Sequence, residues 1–406
     1  MKMLDLIRKI TRLTVPLYLR NKIRVLIFKK FRKIGILYFL RTLGFITCKN
    51  YLPITCLNKE YFLNSNQEFT KYSEIIEENT IKKADYIEGK GLDLLKSFAA
   101  KTYTVVLEIS NSKFSFRNNH LLDKGLNVIG EFRSEESQKI RTLPIYSKIL
   151  EKPNKIHGTV AYLSDPAPAN YYHWMCRTLP LLNFYHKFFD FNKIDFFYIG
   201  KFQLTNFHQE SLTQAGIAMN QIIQEGCIGD KMLIAITNRT CRGFGDPINR
   251  EAFMFTRNLF IQTLNKPQNN RRIYIQRGKV IGRNVINETE VMELLNSYGF
   301  ESVTMDGKTI QEQAELFSQS VAIVAAHGAA LTNLLFIQPG VKVIELMPYG
   351  YVNDCFYVLA SHGEANYFCL QGNNINQRDH DTRKLDIYVD VQKLDKICRM
   401  VGLDKI

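Results

Sequence analysis

The length, composition and charge of this chain exclude several classes of protein. With 406 residues, 46% of them hydrophobic and 23% charged, it is too long for one small core and too apolar for a disordered chain. Of its 14 net positive charges, 12 belong to residues 1–50, which hold 13 Lys and Arg against one acid, Asp5. Because the remaining residues are nearly neutral overall, a nucleic-acid-binding domain is not expected.

The basic segment at residues 1–50 interleaves Leu, Ile, Val and Phe with Lys and Arg. Its longest apolar run, IGILYFL, has seven residues, whereas a transmembrane helix needs about 20. Arg8, Lys9 and Arg12 interrupt the place where a secretory signal carries its apolar core. The pattern predicts an amphipathic segment that lies on an anionic membrane surface through residues 1–45. The alternative is a basic helix packed on the protein itself.

Eight cysteines are scattered along the chain, with no CxxC pair and no Cys/His spacing typical of zinc. Without a secretory signal they are interpreted as reduced thiols of a cytosolic protein, most of them small core residues. The sequence therefore predicts no metal site.

The predicted elements divide the chain into four regions, of which residues 1–50 are the first. Residues 51–100 are mixed and polar and are interpreted as a linker with some helix. Residues 101–265 carry short strands such as TYTVVLEI and HGTVAYLSD, then a helix that starts at Asn170, and form a first α/β domain. The polar stretch NKPQNNRR marks the boundary to a second domain, residues 266–406.

Strands and helices alternate with short connections throughout the second domain. The predicted strands are RIYIQR, ESVTM, VAIVAA, VKVIELM and NYFCL, and helical patterns separate them. Such alternation favours a parallel, doubly wound sheet with helices on both faces. Sheets of this kind bind ligands at the carboxyl ends of their strands.

The turn after VAIVAA is the first candidate site. A histidine follows the strand, and small residues then allow a ligand to approach the backbone closely. The next helix starts there, and its free N–H groups suit a phosphate. The alternative is an ordinary turn with a hydrogen-bonded histidine. The candidate residues are His327, Gly328, Ala329, Thr332 and Asn333.

Arginines in RRIYIQRGKVIGRN form a second candidate group. Arg272 and Arg277 lie at the two ends of one predicted strand, and Arg283 lies in the loop that follows. Arg277 would share the carboxyl edge of the sheet with His327, and a forked guanidinium suits phosphate oxygens. The alternative is a solvated basic loop.

Two further sets complete the candidates. In NYYHWMCRTLP, Asn170, His173 and Arg177 share a helical face beside Trp174, the only tryptophan in the chain. The alternative for His173 is a buried histidine bonded to backbone. Glu345 ends the predicted strand VKVIE and could bond ribose hydroxyls, or could be an ordinary ion-paired glutamate.

The motifs NYYHW, RRIYIQR and RNVINETEV, together with the long block that contains HGAALTNLLFIQPGVKVIEL, resemble glycosyltransferase family 61. That family includes plant xylosyltransferases, animal N-acetylglucosaminyltransferases and many bacterial members. The resemblance is strongest over residues 270–347 and weaker over residues 100–265. Asn284 departs from it, because many members carry a second arginine there. The basic N-terminal segment also departs, since eukaryotic members have a transmembrane anchor instead.

The resemblance implies a GT-B-like fold, in which two Rossmann-like doubly wound domains face each other across a cleft. It implies inverting transfer from a UDP-sugar with no obligatory metal and no other cofactor. The donor would lie on the second domain and the acceptor on the first, near Asn170, Trp174 and Arg177. The residues that match positions expected around the nucleotide are Arg277, His327, Thr332, Asn333 and Glu345. Arg272, Gly328 and Ala329, from the same strand and turn, complete the predicted donor-binding residues.

The expected reaction moves a sugar of the GlcNAc or xylose type to a hydroxyl of a cell-surface glycan. The acceptor would be capsule, lipopolysaccharide or exopolysaccharide, including a lipid-linked form, built at the inner face of the cell membrane. His173 is the candidate base because an imidazole titrates near neutral pH; Asp165 and Asp306 are weaker candidates.

Two other functions compete with this one. The first is a nucleotide-cofactor oxidoreductase on the same sheet, although no G-x-G-x-x-G follows any predicted strand. The second is a non-catalytic protein that binds a nucleotide sugar at the membrane surface.

Overall fold

The structure is a computed structural model. It describes residues 51–53, 69–81, 85–86, 92, 98–110, 114–123, 128–130, 150–165, 167–240, 248–262, 264, 270–278, 281–374 and 381–406. The predicted amphipathic segment at residues 1–50 lies outside these ranges. Within them, no helix combines the length and the hydropathy that a membrane span requires.

The described residues form sixteen strands, which belong to two sheets. They are β1 Tyr51–Pro53, β2 Phe69–Ile81, β3 Asp85–Tyr86, β4 Phe98–Ser110, β5 Phe114–Arg117, β6 His120–Asp123, β7 Val128–Gly130, β8 Asn154–Tyr162, β9 Phe196–Tyr198, β10 Ile222–Ile223, β11 Cys227–Thr240, β12 Arg271–Ile275, β13 Glu301–Val303, β14 Ser320–Ala326, β15 Lys342–Met347 and β16 Asn366–Gln371.

Eight α-helices and several shorter turns accompany the strands in the described ranges. The α-helices are α1 Tyr171–His173, α2 Leu181–Phe188, α3 Asn206–Gln214, α4 Arg250–Ile261, α5 Glu288–Ser297, α6 Ile310–Ser318, α7 Cys355–His362 and α8 Val391–Met400. A π-helical turn, Trp174–Thr178, continues α1, and the longest 3₁₀ helix is Ala329–Phe336.

Helix α6 shows how local sequence sets these boundaries. The Thr309 hydroxyl accepts from the Glu312 amide at 3.1 Å, and the Glu312 carboxylate accepts from the Thr309 amide at 2.7 Å. This capping box satisfies two amides that a helix start leaves open. Ile310, Ala314 and Phe317 then recur at helical spacing and are fully buried against the core.

The second sheet has the order β13-β12-β14-β15-β16-β3, and every neighbouring pair in it is parallel. Apolar clusters cover both of its faces, one with α6 and α7 and the other with α5 and α8. The predicted parallel, doubly wound sheet is therefore confirmed for β12 to β16. The chain reverses its direction of travel across the sheet between β12 and β14, which is where open α/β sheets form a ligand crevice.

The first sheet is mixed, which differs from the second Rossmann-like doubly wound sheet expected there. Its order is β1-β7-β6-β5-β11-β8-β9-β10, with β4 paired to β11 and β2 paired to β4. Only β8 to β11 and the pair β1–β7 are parallel, while β2, β4, β5 and β6 pair antiparallel. The long strand β11 joins the two patterns because it pairs in parallel with β8 and antiparallel with β4.

A further expectation differs from the structure. The region 51–100, expected as a linker with some helix, contributes strands in its described parts, and β3 joins the second sheet by pairing with β16. The segment ALTNLLF, expected as a short helix, is a 3₁₀ helix. The expected domain boundary falls at residues 265–269, outside the described ranges.

Helix α4 connects the elements of both sheets. Residues of β11, α4 and β15 belong to one continuous apolar core. From the same helix, Arg257 Nη1 donates to the carbonyl oxygens of Leu335 at 2.8 Å and Ile337 at 2.6 Å, at the end of the 3₁₀ helix. One half-buried cation thereby satisfies two carbonyls that a helix end leaves open.

We expect Arg257→Met to lower the free energy of unfolding by about 2–4 kcal/mol, because the two carbonyls lose a charged donor. Lys187→Met is the matched control, since this lysine pairs with Glu251 at 3.2 Å with half of its side chain exposed and should contribute less than about 1 kcal/mol. Denaturant unfolding of both variants measures the difference. Equal losses would show that the Arg257 contacts do not stabilise the fold.

Candidate active site

The site begins at the carboxyl edge of β12 and β14. Ile275 of β12 pairs with Ala325 of β14, and continuing this register by two residues sets Arg277 beside His327. Arg277 Nη1 donates to the His327 carbonyl oxygen at 2.7 Å. The structure therefore brings these two predicted residues together, at the point where the sheet reverses.

Gly328 allows this contact through the absence of a side chain. A Cβ atom at this position would lie 2.1 Å from Arg277 Nη1. The backbone of Gly328 is extended, so the constraint is the close approach of the guanidinium rather than the backbone angle. Ala329 is exposed at the same turn, and a ligand can reach the main chain there.

Glu345 fixes the orientation of the His327 ring through Nδ1. One Glu345 carboxylate oxygen bonds His327 Nδ1, and the other accepts from the Tyr367 hydroxyl. Glu345 is fully buried, and the strand β15 continues past it to Met347. The expected ribose contact is therefore corrected, because Glu345 is not at a strand end and a ligand cannot reach it. Its structural role is to orient His327.

A second guanidinium, that of Arg283, lies near Arg277. Burial first, and then the charge of Arg283, lower the pKa of Arg277 to about 10, while Asp386 opposes this shift. The Nε atoms of Arg277 and Arg283 are buried and have no hydrogen-bond partner within the described residues. Two like charges with free donors form a site that an anion would satisfy.

The loop that carries Arg283 is held in an uncommon conformation. Arg283 has φ 61°, a left-handed value that few residues with a side chain adopt. Its neighbour Asn284 donates from its backbone and its side chain to Asp386 Oδ1, at 2.9 and 3.1 Å. The role of this loop was in doubt from the sequence because Asn284 departs from the family pattern, yet Asn284 anchors the loop. In the sequence, the two glycines that begin and end GKVIG were the signal that could have identified this loop.

Aromatic rings surround His327 and continue into the first half of the chain. Tyr351 and Phe356 lie 5.2 and 5.0 Å from the His327 ring, centroid to centroid. Phe356 contacts Tyr172 edge-on at 5.6 Å, and Tyr172 contacts His173 at 5.8 Å. This row of rings connects the two predicted histidines across the core. Tyr351 was not identified from the sequence.

The second histidine belongs to a three-residue cluster. His173 Nδ1 lies 3.3 Å from Asp165 Oδ1 and 3.2 Å from Arg177 Nη1, and Arg177 Nε lies 3.1 Å from Asp165 Oδ2. Arg177 and Asp165 are almost fully buried, while His173 keeps 28% of its side chain exposed. The histidine is thus the member that a substrate can reach.

Charge explains the state of Asp165. Burial by itself would raise its pKa, but the Arg177 charge, the His173 hydrogen bond and the Ala167 amide at 2.8 Å hold the pKa of Asp165 well below its usual range. Asp165 is therefore a carboxylate already engaged by three groups. It is a weak candidate for the base and a good partner for orienting His173.

The backbone around His173 is shaped by its neighbours. The Asn170 side chain caps α1 by accepting from the His173 amide at 3.3 Å. The chain then widens into the π-helical turn, in which the Leu179 amide donates to the Trp174 carbonyl at 2.9 Å. Such turns are rare and frequently occur at functional sites. Here the turn contains Arg177 and follows directly after His173.

Two predicted site residues lie away from this edge. Arg272 is at the opposite end of β12, where its Nη1 donates to the carbonyls of Tyr298 at 2.6 Å and Asp404 at 3.0 Å. Trp174 is fully buried and donates to Ser211 at 2.8 Å. Arg272 therefore anchors the C-terminal residues, and Trp174 belongs to the core, rather than to donor and acceptor sites.

Thr332 and Asn333 also differ from the expectation. Both are fully buried in the 3₁₀ helix, so their side chains do not face a ligand. Asn333 donates to Gln313 at 2.7 Å and accepts from the Tyr171 hydroxyl at 2.8 Å. It thus links the second sheet to α1, the helix that carries His173.

The five cysteines in the described ranges are free and buried, which confirms their interpretation as core thiols. The same ranges contain no group of three His, Cys, Asp or Glu that could hold a metal ion.

Comparison with known proteins identifies a family. A family model described as Glycosyltransferase 61 matches residues 171–344, which include His173, Arg277 and His327. No curated protein matches the chain.

The Asp165 cluster makes a prediction about pH. Asp165→Asn should lower the free energy of unfolding by about 3 kcal/mol at pH 7, because Arg177 loses its buried countercharge. Since folding lowers the pKa of Asp165, its contribution is complete above the ordinary aspartate value of about 3.9 and is lost as the pH falls below it. The gap between wild type and variant should therefore shrink between pH 5 and pH 3, measured by urea unfolding.

Asp190→Asn is the control, because Asp190 is half exposed and pairs only with Lys193 on the surface. Its effect should stay below about 1 kcal/mol. A gap between wild type and Asp165→Asn that does not change with pH would contradict the charge pairing.

Proposed function

Because this chain belongs to glycosyltransferase family 61, and is therefore a glycosyltransferase, we propose that it moves a sugar from a UDP-sugar to a hydroxyl group of a glycan. The sugar is of the GlcNAc or xylose type. The observation that supports this most is the pair of guanidiniums of Arg277 and Arg283 at the reversal of a parallel sheet. Their Nε donors are buried and have no hydrogen-bond partner in the part of the chain that the structure describes. A diphosphate is the anion that this crevice commonly binds.

The proposed arrangement is GT-B-like. The donor lies at the carboxyl edge of β12 and β14, and the acceptor lies beside α1. Two sets of contacts support this arrangement. The Tyr171 hydroxyl donates to Asn333, and a row of packed rings runs from His327 to His173. Both link the donor side to the acceptor side.

The proposed reaction is inverting and needs no obligatory metal. As the sugar leaves, negative charge builds on the diphosphate, and fixed cations stabilise it without reorganisation. Arg277 and Arg283 are suited to this because their Nε atoms are buried and have no hydrogen-bond partner among the described residues. An acceptor hydroxyl attacks the sugar from the opposite face.

His173 is the proposed base for that hydroxyl. His173 Nδ1 faces both an acceptor, Asp165 Oδ1 at 3.3 Å, and a donor, Arg177 Nη1 at 3.2 Å. The proposed tautomer carries its hydrogen on Nδ1, toward the carboxylate, and leaves the lone pair of Nε2 to accept the proton. Arg177 holds Asp165 in place and neutralises its charge, so His173 need not be charged to balance it. The partial exposure of His173 gives the acceptor access.

The proposed acceptor is a cell-surface glycan such as capsule, lipopolysaccharide or exopolysaccharide, including a lipid-linked form. The basic residues of segment 1–45 support this location, because they suit the anionic inner face of a cell membrane.

The first experiment is a thermal-shift screen with UDP, GDP, CMP, NAD and UDP-sugars, with and without EDTA. We expect UDP to raise the melting temperature in EDTA, since a ligand at 100 times its Kd stabilises the folded state by about 2.7 kcal/mol. Arg277→Met should lose the shift, and Arg399→Met, on an exposed arginine paired with Asp395, should keep it. A shift with NAD and none with UDP would favour the oxidoreductase.

The same preparations test the base. His173→Ala should keep the UDP shift but lower kcat for sugar transfer by about 10²–10⁴-fold. His157→Ala is the control, because that side chain is 94% exposed and lies outside the site. Wild-type turnover in His173→Ala would show that another group takes the proton, and no transfer by wild type would favour a non-catalytic binding protein.

Membrane attachment has its own test. Deleting residues 2–45 should abolish sedimentation with vesicles that contain anionic lipid, while the UDP shift remains, because the charges of that segment supply the attraction. Vesicles of neutral lipid are the control. Unchanged sedimentation of the shortened protein would contradict the proposed role of the segment.

A further inference from the structure

Glu345 is buried beside His327, and in the described residues no other cation pairs with its carboxylate. The side chain of His327 is 5% exposed and that of Glu345 is fully buried. In the described part of the chain, His327 is the only cationic partner of Glu345, and the Tyr367 hydroxyl takes its second oxygen. A carboxylate buried without a countercharge would lose several kcal/mol of hydration.

The other groups around this pair do not balance its charge. Arg277 is a neighbouring cation, but its Nη1 is bound to the His327 carbonyl, and the acid that acts on its pKa is Asp386. Asp354 adds a negative charge near Cys355, and Arg283 acts on Tyr351 rather than on Glu345. The other titratable neighbours are neutral when protonated: Tyr351, Cys355, Tyr367 and Cys369. Burial raises the pKa of each of them, first among its causes.

The low-energy state of the pair is therefore net neutral. Tyr367 donates to Glu345, so the shared proton lies between Glu345 and His327 Nδ1. Whether that proton rests on the carboxyl or on the ring, a net-neutral pair leaves a hydrogen on Nε2 of His327. No group in the described residues accepts from Nε2.

We propose that His327 Nε2–H is a third donor to the leaving diphosphate, and that Glu345 and Tyr367 are positioning residues that keep this hydrogen in place. This inference rests on the proposed transferase function. It assigns opposite states to the two histidines of the site. Asp165 has Arg177 as its countercharge, so His173 is free to accept a proton, whereas Glu345 has only His327.

The transfer step follows from these states. The acceptor oxygen forms a bond to the anomeric carbon, and the bond from that carbon to the diphosphate oxygen breaks. The electron pair of the broken bond moves to the diphosphate, which accepts hydrogen bonds from His327 Nε2 and the two guanidiniums. The acceptor proton goes to His173, which then releases it to water. His327 donates a hydrogen bond throughout and transfers no proton.

The test uses the full chain and the variant Glu345→Gln, which keeps the shape of the side chain and removes its charge. With the amide oxygen accepting from Nδ1–H and the amide NH2 facing the Tyr367 oxygen, the neutral ring has no hydrogen on Nε2. We expect kcat to fall by about 10²–10³-fold, the loss typical of removing one donor to a developing charge, with little change in KM for the donor. The activity should recover partly as the pH falls.

Nitrogen-15 NMR of histidine-labelled protein measures the same state without activity. In wild type, the His327 Nε2 signal should remain that of a protonated nitrogen from pH 6 to pH 8 and should shift when UDP is added. In Glu345→Gln it should become non-protonated over this range. Tyr367→Phe should retain the protonated signal, with a smaller loss of kcat.

The outcomes separate the two proposals. Transfer by wild type combined with a non-protonated Nε2, or with full kcat in a Glu345→Gln variant whose Nε2 is non-protonated, would overturn the role of His327 alone. A protonated Nε2 that does not respond to UDP, in a protein that transfers no sugar, would overturn the proposed function and the donor role with it.

Discussion

The contact between the Arg277 guanidinium and the His327 carbonyl is the constraint on which the rest of the site depends. It joins β12 to β14 at the edge where the sheet reverses. It requires glycine at position 328, since any side chain would occupy the place of the guanidinium. It also limits the hydrogen bonds that Arg277 makes within the protein, so that its Nε remains available to an anion. The Arg277 guanidinium thus has one donor bound to the backbone and another left for a ligand.

The two histidines differ in how their carboxylate partners are neutralised. Asp165 is balanced by the buried Arg177, while Glu345 is balanced by His327 itself. A histidine paired with a carboxylate can therefore have either of two charge states, and the presence or absence of a nearby arginine decides between them. Environments that separate the states of similar groups are the usual way for one site to provide both a proton acceptor and a hydrogen-bond donor.

The contacts between the two sheets decide whether these groups can act together. Asn333 links the 3₁₀ helix to Tyr171, two residues before His173, and Arg257 ties α4 to the end of the same 3₁₀ helix. Residues expected to bind the donor directly, such as Thr332, are instead fully buried in this interface. Their contribution is to the relative position of the two edges, which in the proposed reaction sets the distance between donor and acceptor.

The sequence by itself determined the parallel sheet, the turn at His327 and the place of Arg277 at a strand end, because alternating patterns and the ends of strands depend on residues close together along the chain. Only the tertiary structure decided the roles of Arg272, Trp174 and Glu345. Arg272 and Arg277 at the two ends of one strand look alike in the local sequence. Whether a glutamate in an apolar run binds a ligand or is buried in a hydrogen bond depends on side chains far away along the chain. The tyrosine that meets Glu345 comes from the next strand of the sheet, and the two positions are joined only by folding.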